Sequence, residues 1–119
     1  MNKQFKDLRE DIINGLYQYD LLSVKNEETP YLIEIINSLE EIDEIIESNL
    51  FNYSLYRLSY VDRAIIRLAT YELKYTETHE AIIINVAIEL TKKYTDLDDE
   101  KQHKFNNKLL DNIKKAIRG

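Results

Sequence analysis

Residues 60–94 read YVDRAIIRLATYELKYTETHEAIIINVAIELTKKY, and their spacing decides the fold. Apolar side chains recur three and four positions apart, the period of a helix face. Ser59-Tyr60-Val61-Asp62 has capping-box spacing, with Asp in the place of the more usual Glu or Gln, so a helix is expected from there to about Tyr75. On a 100° wheel Val61, Ile65, Leu68, Ala69 and Glu72 fall together, and Arg63, Arg67, Thr70 and Lys74 form a narrow stripe opposite. Thr78 can cap a second helix, with Glu80 favourable in its first turn. That helix, to about Tyr94, is apolar nearly all round, from Ala81 and Ile82 to Ile88 and Leu90, with Asn85, Glu89 and Lys93 as its polar stripe. Such a helix belongs in the middle of a domain.

The same period extends outward in both directions. Upstream, Phe5, Leu8, Ile12, Leu16 and Tyr19 share one face of a helix from about Gln4 to Leu22, with Lys6, Glu10 and Tyr17 on the other side. Thr29-Pro30 reads as an N-cap followed by proline at the first helical position, opening a helix to about Ser48. Leu32, Ile35, Ile36, Leu39, Ile42 and Ile46 line its buried face, and its glutamates face water. Asn49 to Leu58 reads as irregular. Downstream of an acidic connection, a last helix from about Lys101 to Ile117 buries Phe105, Leu109, Ile113 and Ala116, beside a stripe of Lys101, Lys104, Lys108 and Lys115. The expectation is an all-α fold, a compact bundle of about five to seven helices in one domain spanning residues 1–119.

Composition agrees. Two glycines and one proline in 119 residues are too few for the tight turns of an all-β fold. The absence of cysteine excludes disulfides, thiolate metal sites and a thiol nucleophile. The N-terminus carries charges where a signal peptide needs an apolar run, and no stretch approaches a membrane span, so a cytoplasmic protein is expected. Net charge is −6, unevenly spread. Residues 26–56 hold eight acids and no Lys or Arg, while residues 101–119 hold six bases against Asp111 alone. A polyanion could meet only part of such a surface.

Catalytic chemistry is hard to build from these residues. His79 and His103 are the only histidines, neither in a metal-ligand spacing, and Gly15 and Gly119 make no phosphate-cradling loop. No enzyme activity, metal or cofactor is expected. Glu72 sits at the centre of an apolar face, where a carboxylate must be hydrogen-bonded, so a structural partner such as an arginine or a helix N-terminus is expected for it. The lysines of the last helix could neutralise phosphates, with solubility as the plainer explanation.

Val61 to Ile113 resembles the NusB family. Arg67, Tyr71-Glu72-Leu73, Ile84-Asn85, Glu89-Leu90, Lys92, Phe105, Asn107 and Leu110-Asp111 match the family's run in order and spacing, and Arg9 to Leu22, with Leu16-Tyr17, resembles its first helix. The resemblance implies two packed helical subdomains and a bacterial transcription antitermination factor. Its implied partners are the single-stranded boxA-like element of ribosomal RNA transcripts, the ribosomal protein NusE, and through them the transcription elongation complex. Matched positions imply RNA contacts at Arg9, Tyr17, Lys104, Phe105 and Asn107, with Lys3 and Lys6 matching in charge only. Asp7 and Leu8 interrupt the family's N-terminal basic cluster, Val86 replaces an acid, and Asn106 and Lys108 replace a valine and a glycine. A second reading is therefore a NusB-like scaffold that keeps the protein contact without useful RNA binding. A third is an accessory domain, since such domains also precede some rRNA cytosine methyltransferases.

Overall fold

The computed structural model describes residues 5–24, 29–51, 54–96 and 100–119, with side chains from Leu8 onward. Its elements, in chain order, are α1 (Phe5–Leu22), α2 (Pro30–Asn37), α3 (Leu39–Ser48), a single 3-10 turn (Leu55–Arg57), α4 (Tyr60–Tyr75), α5 (Glu80–Tyr94) and α6 (Lys101–Arg118). No strand occurs among the described residues. One group, α1 to α3, packs against a second, α4 to α6, chiefly through α4, and a single hydrophobic cluster runs through both.

The central helix is α4, not the more apolar α5. Every residue from Asp62 to Leu73 is buried, whereas α5 buries only Ile83, Ala87, Leu90 and Thr91 and leaves Ile82 48% exposed. Apolarity misleads here because α4 carries its charges inward with partners. Arg67 makes a bidentate pair with Asp43 of α3 at 2.8 and 2.8 Å, and Arg63 donates to Asp20 of α1 at 2.7 Å. A cation whose donors are met by carboxylates and carbonyls can be buried where a lone one cannot.

The expected helix over residues 30–48 is broken once. The Ser38 hydroxyl donates to the Glu34 carbonyl at 2.9 Å, a bond that competes with the backbone ladder and bends the chain between α2 and α3. All six apolar positions named for that helix remain buried across the bend. Pro30 opens α2 as expected, but Thr29 makes no side-chain cap bond. At α5 the cap is His79 rather than Thr78: its Nδ1 accepts the Ala81 N–H at 3.1 Å. Ser59 does cap α4, accepting the Asp62 N–H at 3.1 Å. Its hydroxyl in turn donates to the Asp62 carboxylate at 2.7 Å, so the Asp does not reach back to the Ser59 N–H as a longer Glu would.

Two helix faces are rotated by about one residue from their apolar wheels. On α1 the buried side is Arg9, Ile12, Ile13 and Leu16, and Leu8 is 50% exposed. On α6 it is Asn106, Leu109, Leu110 and Ile113, with Phe105 and Ala116 exposed. A polar anchor sets each rotation: Arg9 reaches Glu72, and the Asn106 amide donates to Asp62 and Thr91 at 3.1 and 3.1 Å. Gly15 completes the α1–α2 contact, since a Cβ there would stand 2.5 Å from Leu32. At the far end of α6, Arg118 gathers the carbonyls of Leu73, Thr76 and Thr78 at 2.8, 2.9 and 2.8 Å. These lie at and just past the end of α4, where carbonyls lack intrahelical partners.

Candidate nucleic-acid interface

The outer hairpin of α5 and α6 carries an open groove lined by Ile84 and Asn85 from α5 and by Lys104, Asn107, Lys108 and Lys114 from α6. Glu80 and Asp111 also line it, so its cations outnumber its acids. Helical spacing creates the row: residues 104, 107, 108, 111 and 114 fall on one side of α6. Lys104 keeps 69% of its side chain exposed, and its carboxylate neighbour Glu100 is 3.9 Å away, a loose pair on the surface. Asn107 and Lys108 are exposed as well. Lys108 also lines a second, smaller groove with Phe105, Leu109 and Asn112 of α6 and Asn49 to Phe51. Phe105 is 37% exposed and Phe51 82%.

The structure brings only some of the named positions together. Lys104 and Asn107 share the α5–α6 groove, and Phe105 lies round the helix in the smaller one. Tyr17 is half-buried in a third groove, with Val61 and Tyr94. The link between these places runs through the start of α4: Tyr17 packs on Tyr60, and Asp62 holds Asn106, next to Asn107. Lys3 lies outside the described residues; Lys6 falls in the first turn of α1 but its side chain is not among those described.

Arg9 departs from what an RNA contact requires. It is 7% exposed, and its Nε donates to the Glu72 carboxylate at 2.8 Å while a terminal nitrogen donates to the second carboxylate oxygen. Its charge is thus held in the core rather than offered at the surface. Glu72 is 4% exposed; burial pushes its carboxyl above the ordinary range and Arg9 draws it back. Tyr31 lines one cleft with this pair, its phenol pushed up to about 12 by burial first and then by the Glu72 charge.

Lys114 and Asn85 join the groove without a sequence signal for it, since the lysine stripe of the helical wheel passes through Lys115 instead of Lys114. Lys115 pairs with Asp111 at 3.0 Å, outside the groove lining. The acidic helix α3 also holds α4 in ways that charge alone does not reveal: Asp43 meets the buried Arg67, and at the surface Glu41 meets Lys74 at 2.9 Å and the Tyr75 hydroxyl. Among the described residues no group of three or more His, Asp or Glu could hold a metal ion, and no helix is long and apolar enough to cross a membrane.

A helical bundle wound on one central helix, buried from Asp62 to Leu73, with a lysine- and asparagine-lined groove on its outer hairpin, defines a small helical binding module. A family model described as the NusB family matches residues 6–115. The chain is 33% identical over 129 residues to the transcription antitermination protein NusB of a Nitratiruptor species, covering 92% of this chain and 91% of that protein. It matches the structure of T. maritima NusB with a TM-score of 0.83 at 29% identity, covering 100% of this chain and 96% of that one. It also matches a chain in the crystal structure of the antitermination factors NusB and NusE in complex with double-stranded RNA, with a TM-score of 0.75 at 31% identity, covering 93% and 96%. The chain belongs to the NusB family.

Proposed function

We propose that this chain is a non-enzymatic transcription antitermination factor that binds single-stranded boxA-like RNA of ribosomal RNA transcripts together with NusE. It would act in the cytoplasm as part of the transcription elongation complex, with residues 1–119 as one RNA-binding unit. The observation that carries the reading is the α5–α6 groove, where Lys104, Lys108 and Lys114 stand in one row with Asn107 between them. Lysine contacts give affinity by neutralising phosphates, and an exposed amide can read a base edge. Phe105 and Tyr17 supply ring faces on either flank. Lys3 and Lys6 would add charge from the N-terminal side, whereas Arg9 acts on Glu72 rather than on phosphate. Kinship with a NusB seen bound to NusE and RNA supports the partner assignment.

The test is an RNA titration at several salt concentrations, with and without purified NusE. Three phosphate contacts predict a log–log salt slope of roughly −2 for a single strand. Tighter binding of a boxA-like RNA than of a scrambled one, with NusE present, is the expected result. The runner-up is a protein-only scaffold. It is favoured by the withdrawal of Arg9 into the core and by the exposed Glu40, Glu44 and Glu47 of α3, which suit a basic ribosomal protein. Equal binding of both RNAs, or no binding at low salt, alongside retained NusE binding would select it.

A further inference from the structure

Tyrosines gather at the first turn of α4, and the site just described uses only one of them. Tyr17 meets Tyr60 edge to face, with ring centroids 6.1 Å apart and planes at 78°. The Arg63 guanidinium carbon lies 5.0 Å from the Tyr60 ring centroid and 4.6 Å from that of Tyr56. Arg63 itself is 5% exposed and fixed by Asp20 at 2.7 Å and by the carbonyls of Leu58 and Tyr56 at 3.1 and 3.3 Å. One buried, hydrogen-bonded cation therefore backs two tyrosine rings that remain 64% and 41% exposed. Exposed tyrosines ordinarily sample rotamers, and ordering them on binding costs affinity. Contact with the Arg63 guanidinium favours one placement of each ring before any ligand arrives.

We propose that Tyr56 and Tyr60, backed by Arg63, form a stacking platform for unpaired bases that continues the RNA surface from Tyr17. The inference rests on the RNA reading above. A nucleobase suits the platform because it brings a π-face and needs no particular edge. A cationic side chain, the other ligand that aromatic clusters attract, does not suit it: Arg63 already occupies the cation position against both rings. Continuity favours a single strand. Asp62, two residues from Tyr60, binds Asn106, so the platform and the Lys104–Asn107 segment flank the same end of α4.

The experiment uses the full chain with NusE and a fluorescein-labelled boxA-like RNA oligonucleotide. Tyr56→Ala and Tyr60→Ala should each weaken binding about 5- to 150-fold, the range for one lost stacked base, with the salt slope unchanged. Tyr60→Phe should bind as the unsubstituted protein does. Photocrosslinking of the unsubstituted protein to the same RNA carrying 5-iodouridine should map to Tyr56 or Tyr60, which removes any dependence on how the variants fold. Binding that depends on Lys104 but is indifferent to both alanine variants, with no crosslink at either tyrosine, overturns the platform alone. No binding to any RNA at low salt overturns the RNA reading and the platform with it.

Discussion

Around α4 the arginines turn inward, and along α6 the lysines turn out over a groove. Arg9, Arg63 and Arg67 are each less than a tenth exposed and each faces a carboxylate, from Glu72, Asp20 and Asp43. Lys104 and Lys108 carry the same charge and are exposed, with Lys114 at the end of the same row. The residue types divide the labour. A guanidinium is planar, weakly hydrated and able to fork onto both oxygens of a carboxylate, whereas an ammonium is compact and strongly hydrated. Formal charge says little about which end of this molecule meets a polyanion; whether a carboxylate already holds the cation says more.

The strongest way to break that contrast is to cut a buried pair. Arg9→Met leaves Glu72 buried without its partner and should lower stability by about 3–5 kcal/mol in a denaturant titration. The loss should depend on pH with a definite sign. Burial already raises the Glu72 carboxyl, and removing Arg9 takes away the main opposing influence. A group with a raised folded-state pKa contributes stability at low pH and loses it as pH climbs through that value. The deficit should therefore shrink as the solution is acidified. Replacing both partners, Arg9→Met with Glu72→Leu, should recover most of the stability. A deficit in Arg9→Met that stays flat from neutral to acid pH would show that Glu72 does not sense Arg9.

Arg67→Met should cost less, about 1–3 kcal/mol, because its partner can fall back on water. The Asp43 side chain is 21% exposed against 6% for Glu72. On the other side of the comparison, Lys104→Ala should change stability by no more than about 0.5 kcal/mol, as surface substitutions do. Its effect should appear in RNA binding instead, flattening the salt slope by about 0.7. Chemical denaturation and an RNA titration on the same two variants therefore test the contrast from both ends.

Much of this was legible in the sequence. Helical period marks out five helices, the second of which the structure breaks into α2 and α3, and it puts Leu32, Ile35, Ile36, Leu39, Ile42 and Ile46 on the core, where they lie. What escaped was polar burial. A wheel counts Arg63, Arg67 and Asn106 as surface, because their partners Asp20, Asp43 and Asp62 lie 43, 24 and 44 positions away. No local rule sees such pairs. Arg118 escaped for the same reason, since its carbonyl acceptors sit at the end of another helix. The candidate site was legible as a basic helix with an asparagine, Lys104 to Asn107. The rotation that turns Asn106 in and Phe105 out was not, because Asp62 and Thr91 determine it.

Tyr31 offers the finest probe of the buried side. Its phenol is pushed up to about 12, chiefly by burial, then by Glu72 and Tyr71, with Arg9 pulling the other way. Tyr71 and Tyr75 are raised as well, so an alkaline absorbance titration of the nine tyrosines should show a late group rather than one step near 10. Tyr31→Phe should remove the latest component. Above pH 10 the unfolded chain has released a proton that folded Tyr31 still holds, so its share of stability is lost as pH climbs from 10 to about 12. The two charges it senses then set opposite shifts. Glu72→Gln removes a negative neighbour and leaves Arg9 uncompensated, so the Tyr31 phenol should ionise earlier. Arg9→Met removes the one opposing charge while Glu72 stays ionised at such pH, so it should ionise later still. Opposite shifts in the two variants would show that the pair beside Tyr31 is charged and intact. Shifts in the same direction would mean that Tyr31 responds to loosened packing, and the core arginine would then differ from the groove lysines in burial alone.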